Sequence, residues 1–224
     1  MTTWTAPTPG TVQQELPLFP LNTVLFPDGS LSLQIFEVRY LDMIGKCHKS
    51  GTPFGVVSLT QGQEVRTRDP LAPTGDAFVR EDFADIGTLA TIVDFAAPQA
   101  GLMVIRCTGG GRFKVRARRQ LKHGLWVGDV EHLANDEPMP IPEDLRPVAH
   151  ALAHLLEQQQ TSQSTLELPL FPQPYRLDEC GWVANRWCDL LSLPTPFKQS
   201  LLRLDSPLLR LELVADLLSN QTAA

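Results

Sequence analysis

The chain has 224 residues, 43% hydrophobic and 20% charged, which is the composition of an ordinary globular protein with room for one large domain or two small ones. A net charge of −6 argues against a surface that grips nucleic acid or anionic membrane as a whole and leaves space only for a local basic patch. No uncharged apolar run approaches the roughly 20 residues of a membrane span, and the opening MTTWTAPTPG lacks the basic and apolar regions of a secretory signal, so a cytoplasmic protein without a membrane partner is expected.

Residues 1–14, rich in Thr, Pro and Gln, read as a flexible arm. In residues 16–26 prolines at 17 and 20 interrupt an apolar run, which predicts a bent edge strand, because proline removes a ladder donor. Pro27, Asp28 and Gly29 have the order of a tight turn, with glycine free to take positive φ. A short strand over 31–36 follows. At Glu37 the period changes to about 3.6 and sets Tyr40, Leu41, Ile44 and Cys47 on one helical face. Residues 53–59 form a buried strand, and 61–85 a long polar excursion. Strands are predicted over 86–95, 102–108, 112–119 and 125–133, with Gly109, Gly110 and Gly111 as a hairpin turn between the second and third.

Three prolines within 138–142 mark residues 135–142 as a linker. Everything beyond it is helical in pattern. A first helix opens after Pro142 with acids in its first turn and runs to about residue 160. A second, over 175–193, lines up Leu177, Cys180, Ala184, Trp187 and Leu191 and is stopped by Pro194 and Pro196. Ser206 and Pro207 open the last, whose inner face carries Leu208, Leu211, Ala215 and Leu218. Strands followed by helices give an α+β chain in two parts: a β unit over 15–134 with an antiparallel barrel or sandwich, and a helical bundle over 143–220.

Three stretches carry a family resemblance. LPLFPL at 16–21 with the Phe26-Pro27 turn and IFEVRY at 35–40, GRFKV at 111–115, and KQSLL at 198–202 with RLE at 210–212 are similar to the N-terminal, substrate-binding domain of Lon-type ATP-dependent proteases. The resemblance implies a PUA-like antiparallel β pseudo-barrel followed by a helical bundle. It also implies polypeptide substrates or a protease or chaperone partner, and some homo-oligomer formation. Its motif residues are Pro20, Pro27, Glu37, Arg39, Tyr40, Gln199, Leu202, Arg210 and Leu211, in structural roles; it fixes no substrate-binding residue.

Full-length members of that family carry an ATPase and a serine-lysine peptidase, and neither signature occurs here. A phosphate loop needs G-x-x-x-x-G-K-[ST]; Gly109 to Lys114 lacks the glycine before lysine and the hydroxyl after it. No G-x-S-x-G elbow is present. The expectation is a non-enzymatic binding protein with no catalytic residue, cofactor or metal. His150 and His154 share a helix face at i and i+4, as two metal ligands could, but without a third they read as an exposed polar face. Cys47, Cys107, Cys180 and Cys188 form no C-x-x-C pair and read as buried reduced thiols. Glu37 and Arg39 read as a helix-start acid and an arginine paired with a neighbouring acid. Trp182 reads as packed on a neighbouring helix.

The alternative function rests on residues 112–122, RFKVRARRQLK. On a regular strand Arg112, Lys114, Arg116 and Arg118 share one face, extended by Arg119 and Lys122, and could contact RNA phosphates. The competing reading is an outer strand face paired with acids such as Asp94, Asp129 or Glu131.

Overall fold

The computed structural model describes residues 7–65, 80–162 and 171–222. Much of the expected 61–85 excursion and the first six residues of the arm lie outside them. Six strands, β1 (Val12–Leu21), β2 (Ser30–Ile35), β3 (Phe54–Gln61), β4 (Asp82–Gln99), β5 (Leu102–Gln120) and β6 (Trp126–His132), run in the order β2-β5-β4-β3-β1-β6. An additional β5–β6 pairing closes five of them into a barrel and leaves β2 attached outside it. Helix α1 (Val38–Ser50) buries Tyr40, Met43, Ile44 and Cys47 against the barrel.

β1 is not an edge strand. Its first part pairs antiparallel with β6, from Val12 to Leu18, and its last part pairs parallel with β3, from Leu18 to Leu21. Pro17 falls where only β6 is beside it and Pro20 where only β3 is, so each missing N–H has an unpaired side to face. The parallel pair is the one departure from an antiparallel sheet among the described strands, and β2 and α1 supply the crossover that a parallel pair needs.

The three glycines at 109–111 do not reverse the chain; β5 runs through them unbroken for 19 residues. Glycine is required at 109 because the turn after β1 lies against the strand. Asp28 N donates to Gly109 O and Gly109 N to Gly29 O, both at 2.8 Å, and a Cβ on Gly109 would overlap the carbonyl oxygen of Phe26. The reversal between β4 and β5 is instead made at Gly101, whose φ of 78° suits glycine. In the Pro27-Asp28-Gly29 turn the positive φ, 58°, belongs to Asp28. Gly29 is needed for space: a Cβ there would sit 2.8 Å from Phe26 O.

After a single 3-10 turn at Glu143–Leu145 come α2 (Arg146–Ser162), α3 (Cys180–Leu190), α4 (Thr195–Arg203) and α5 (Pro207–Thr222). Residues 135–142 do more than link. Pro140 bridges to Glu179, and Cys180 N donates to Met139 O at 2.8 Å, so the first peptide of α3 is engaged by this segment and the helix starts five residues later than its apolar spacing predicts. Pro194 and Pro196 open α4 as well as follow α3. Ser206 Oγ accepts from Leu209 N at 3.2 Å, as the cap expected there should. The helical core joins Leu152, Val183, Trp187, Leu211 and Val214 to Phe26 from the barrel, so the two parts share apolar packing.

Gly109→Ala should destabilise the protein by about 1–3 kcal/mol, the usual range for forcing extra volume into a packed site, with Gly101→Ala affecting the reversal instead. Urea unfolding of both variants checks this; an unchanged midpoint for Gly109→Ala would show that the turn can move off β5.

Candidate functional site

Three buried arginines lie at the seam between barrel and helices; Arg112 and Arg186 cross it, and Arg210 joins helices on its bundle side. Arg112 on β5 donates to Leu202 O and Leu204 O, both at 2.9 Å, and reaches Asp205 at 3.3 Å. Arg210 on α5 donates to Leu201 O at 3.1 Å, Leu204 O at 2.6 Å and Asn185 Oδ1 at 2.9 Å, and pairs with Asp136. These carbonyls end α4, where a helix has acceptors without intrahelical donors and a negative dipole end. Arg186 on α3, fully buried, donates to Pro27 O at 2.6 Å and to Asp28 O, and pairs with Asp189 at 2.9 Å. Desolvation lowers the pKa of both Arg112 and Arg186. Gln199 adds a bond from Nε2 to Ile86 O at 2.8 Å. A cleft of about 230 Å³ opens beside the seam, lined among others by Asp28, Arg112, Asp136 and Arg176. Its arginines are already committed: Arg176 pairs with Asp28, and Arg112 with Asp205. The cleft is therefore read as part of the scaffold.

The second feature lies at the other end of the barrel. Glu37 is the N-cap position of α1; its carbonyl accepts from Tyr40 N and Leu41 N, both at 2.9 Å, and its carboxylate pairs with Arg39 at 2.7 Å. Arg39 also holds Glu81 at 3.0 Å and donates to Gly124 O at 3.0 Å, while Trp126 Nε1 donates to Glu81 at 2.7 Å. Burial acts to lower the Arg39 pKa, but the bonds to Glu81 and Glu37 outweigh it and the pKa is raised. Tyr40 stacks on Phe19 with ring centroids 3.9 Å apart, and burial raises its hydroxyl pKa.

Beside this network is an apolar groove of about 70 Å³, walled by Phe19, Leu33, Phe36, Tyr40, Glu64 and Val65. Phe36 is 56% exposed and Val65 47%, and Val38, next to Glu37 in the chain, is 75% exposed. Large apolar side chains grouped around a concavity make this the candidate binding surface, where single exposed ones would not.

The basic run does not form one face. The β5–β6 register steps from Val115↔Val130 to Ala117↔Asp129, so a bulge at Arg116 inserts one residue and exchanges the two faces of β5. Arg112 is buried at the seam, whereas Arg118, beyond the bulge, lies over the Phe83 ring and pairs with Asp82 at 2.6 Å. Arg116 pairs with Glu131 and Arg119 with Glu15. His150 and His154 are exposed, and no cluster of three or more metal-ligating side chains exists among the described residues. All four cysteines are buried and free, and burial pushes Cys107 and Cys188 up to about 12, so these two are thiols at neutral pH and not nucleophiles. Trp182 packs beside Tyr175 with centroids 5.6 Å apart. The groove was not visible in the sequence; the signal that could have found it is the pair Phe36 and Val38, apolar residues flanking Glu37 where a strand passes into a helix.

The chain matches the ATP-dependent protease La (LON) substrate-binding domain model over residues 15–220. It is similar to the crystal structure of a Lon N-terminal domain protein from Xanthomonas campestris, with 30% identity, a TM-score of 0.65, and coverage of 92% of this chain and 98% of that one. It shares its fold with the N-terminal domain of Mycobacterium avium complex Lon protease, at 16% identity, a TM-score of 0.55, and coverage of 91% and 97%. No curated protein matches the chain.

Arg210→Ala leaves Asp136 facing the seam without its strongest partner and should cost about 3–5 kcal/mol, the range for breaking a buried pair. Arg116→Ala, at a half-exposed pair, should cost at most about 1 kcal/mol. Chemical denaturation of the two variants side by side checks the contrast, and equal losses would contradict it.

Proposed function

Because this chain belongs to the ATP-dependent protease La (LON) substrate-binding domain family, we propose that it is a polypeptide-recognition module, binding exposed apolar segments without processing them. The observation that carries this reading is the groove beside Phe36 and Val65, where apolar side chains stay in water around a concavity. The barrel, over residues 15–134, does the recognising; the bundle, over 143–220, fixes its shape through the arginine seam and offers a separate surface to a protease or chaperone partner or to a second copy. This division suits an adaptor in the cytoplasm that selects a client and leaves its turnover to other machinery.

Binding of a chemically unfolded, alkylated protein, followed by fluorescence anisotropy, tests the reading. Phe36→Asp and Val65→Asp should each weaken binding about tenfold or more, since burial of a large apolar side chain contributes on the order of 1.5–3 kcal/mol, and neither should lower Tm because both side chains are exposed. Full binding by both variants would exclude the groove. If instead the protein retains RNA at low salt and Arg116→Glu with Arg118→Glu abolishes it, the basic run is the binding surface.

A further inference from the structure

β2 is the terminal strand of the sheet. Among the described residues it pairs on one side only, with β5, and the register runs from Ser30↔Thr108 to Ile35↔Met103 without a shift. A strand in this position presents a row of peptide donors and acceptors that nothing in the sheet satisfies, and proteins normally protect such an edge with charge, proline or a bulge. The β2 sequence, SLSLQI, has no charge and no proline, and its ladder has no bulge. Leu31, Leu33 and Ile35 pack towards the barrel core while Ser32 and Gln34 are exposed, so the solvent side of the strand is narrow and polar.

The same strand forms one wall of the apolar groove through Leu33, Gln34 and Ile35. At about 70 Å³ the groove is far smaller than the roughly 300–1,000 Å³ of a small-molecule pocket, and suits one apolar side chain and not a folded element. Its lining includes Glu37 and Glu64 and no lysine or arginine. Arg39 neutralises Glu37 and donates to the Glu64 main-chain carbonyl at 3.5 Å, whereas the Glu64 carboxylate accepts from the Asn22 backbone and makes no ion pair among the described residues.

We propose that β2 takes an extended segment of a non-native polypeptide as an added strand. Main-chain bonds to the open edge supply the affinity, one apolar side chain fills the groove, and a lysine or arginine of the segment lies beside Glu64. Strand addition of this kind reads alternate side chains and is indifferent to the rest of the sequence, which is what a receptor for many unfolded clients requires. The footprint follows from β2, whose six residues at about 3.3 Å each span about 20 Å. This inference rests on the polypeptide-recognition reading and adds the mode of contact.

The test uses the full chain and three synthetic peptides of one sequence, alternating Leu and Thr with a single Lys: the parent, and two forms N-methylated on alternate backbone nitrogens in opposite phase. Only one phase of an added strand points its N–H groups at β2, so one methylated peptide should bind about tenfold or more weaker than the parent and the other should bind as the parent does, since losing even one or two such bonds accounts for that factor. Glu64→Gln should weaken the parent several-fold and leave a peptide with Gln in place of Lys unchanged. Equal binding of all three peptides overturns strand addition, and if the unfolded protein still binds, recognition of polypeptide stands by side chains alone. A parent peptide that fails to bind overturns the inference as well; failure of the unfolded protein beside it removes the broader reading too.

Discussion

Arg112 and Arg186 hold barrel and bundle together chiefly by donating to main-chain carbonyls of the other part, while Arg210 ties α5 to the end of α4 and to Asp136 beside them. A guanidinium carries five donors in a fixed plane and keeps its charge when buried. Two of the three converge on the carbonyls that end α4, where acceptors without intrahelical donors are concentrated. The third grips the turn after β1 through Pro27 O and Asp28 O. That turn is itself pressed on β5 at Gly109, so the glycine that admits it, the arginine that holds it and the strand beneath act as one unit. Lysine could not substitute at these places, because one ammonium cannot reach two carbonyls and a carboxylate in the same plane.

The barrel thus has two unlike regions. At the seam nearly every strong donor is spent on the chain's own carbonyls and carboxylates, and the cleft there is lined with mutual ion pairs. Around β2 the opposite holds, with a one-sided strand and apolar side chains left in water. In the strand-addition proposal, rigidity at the first serves the second. A strand edge can add a partner strand without rearrangement only if the sheet behind it does not move, and the Arg39–Glu81–Trp126 network beside the groove ties the start of α1 to β4 and β6.

Most element types and their order were legible because strand and helix periods are local properties, although α4 was not foreseen and β5 was read as two strands. The Pro-rich opening, α1 from Glu37 and the capped last helix all follow from residues a few positions apart. What was not legible depended on partners far along the chain. Gly109 signals either a turn or a close approach, and only Phe26 from across the fold decides which. The regular spacing from Arg112 to Arg118 predicts one face, but a bulge set by pairing with β6 exchanges the faces midway. Pro17 and Pro20 rightly exclude two-sided pairing at their own positions, yet β1 changes neighbour between them and so lies inside the sheet. The groove joins Phe36 to Val65, and nothing in either local pattern refers to the other.

β1's change of neighbour also bears on how the molecule is made. Val12 lies opposite Glu131, so the first strand cannot complete its ladder until the sixth exists. On a ribosome adding roughly 5–20 residues per second, the opening strand waits on the order of ten seconds for that partner. During that interval only the β3 side of β1 can form. Its apolar run, Leu16 to Leu21, is then guarded chiefly by the two prolines that spoil it as a template for a neighbouring chain. The prolines that make β1 look like a poor strand thereby protect it while it is an unfinished one.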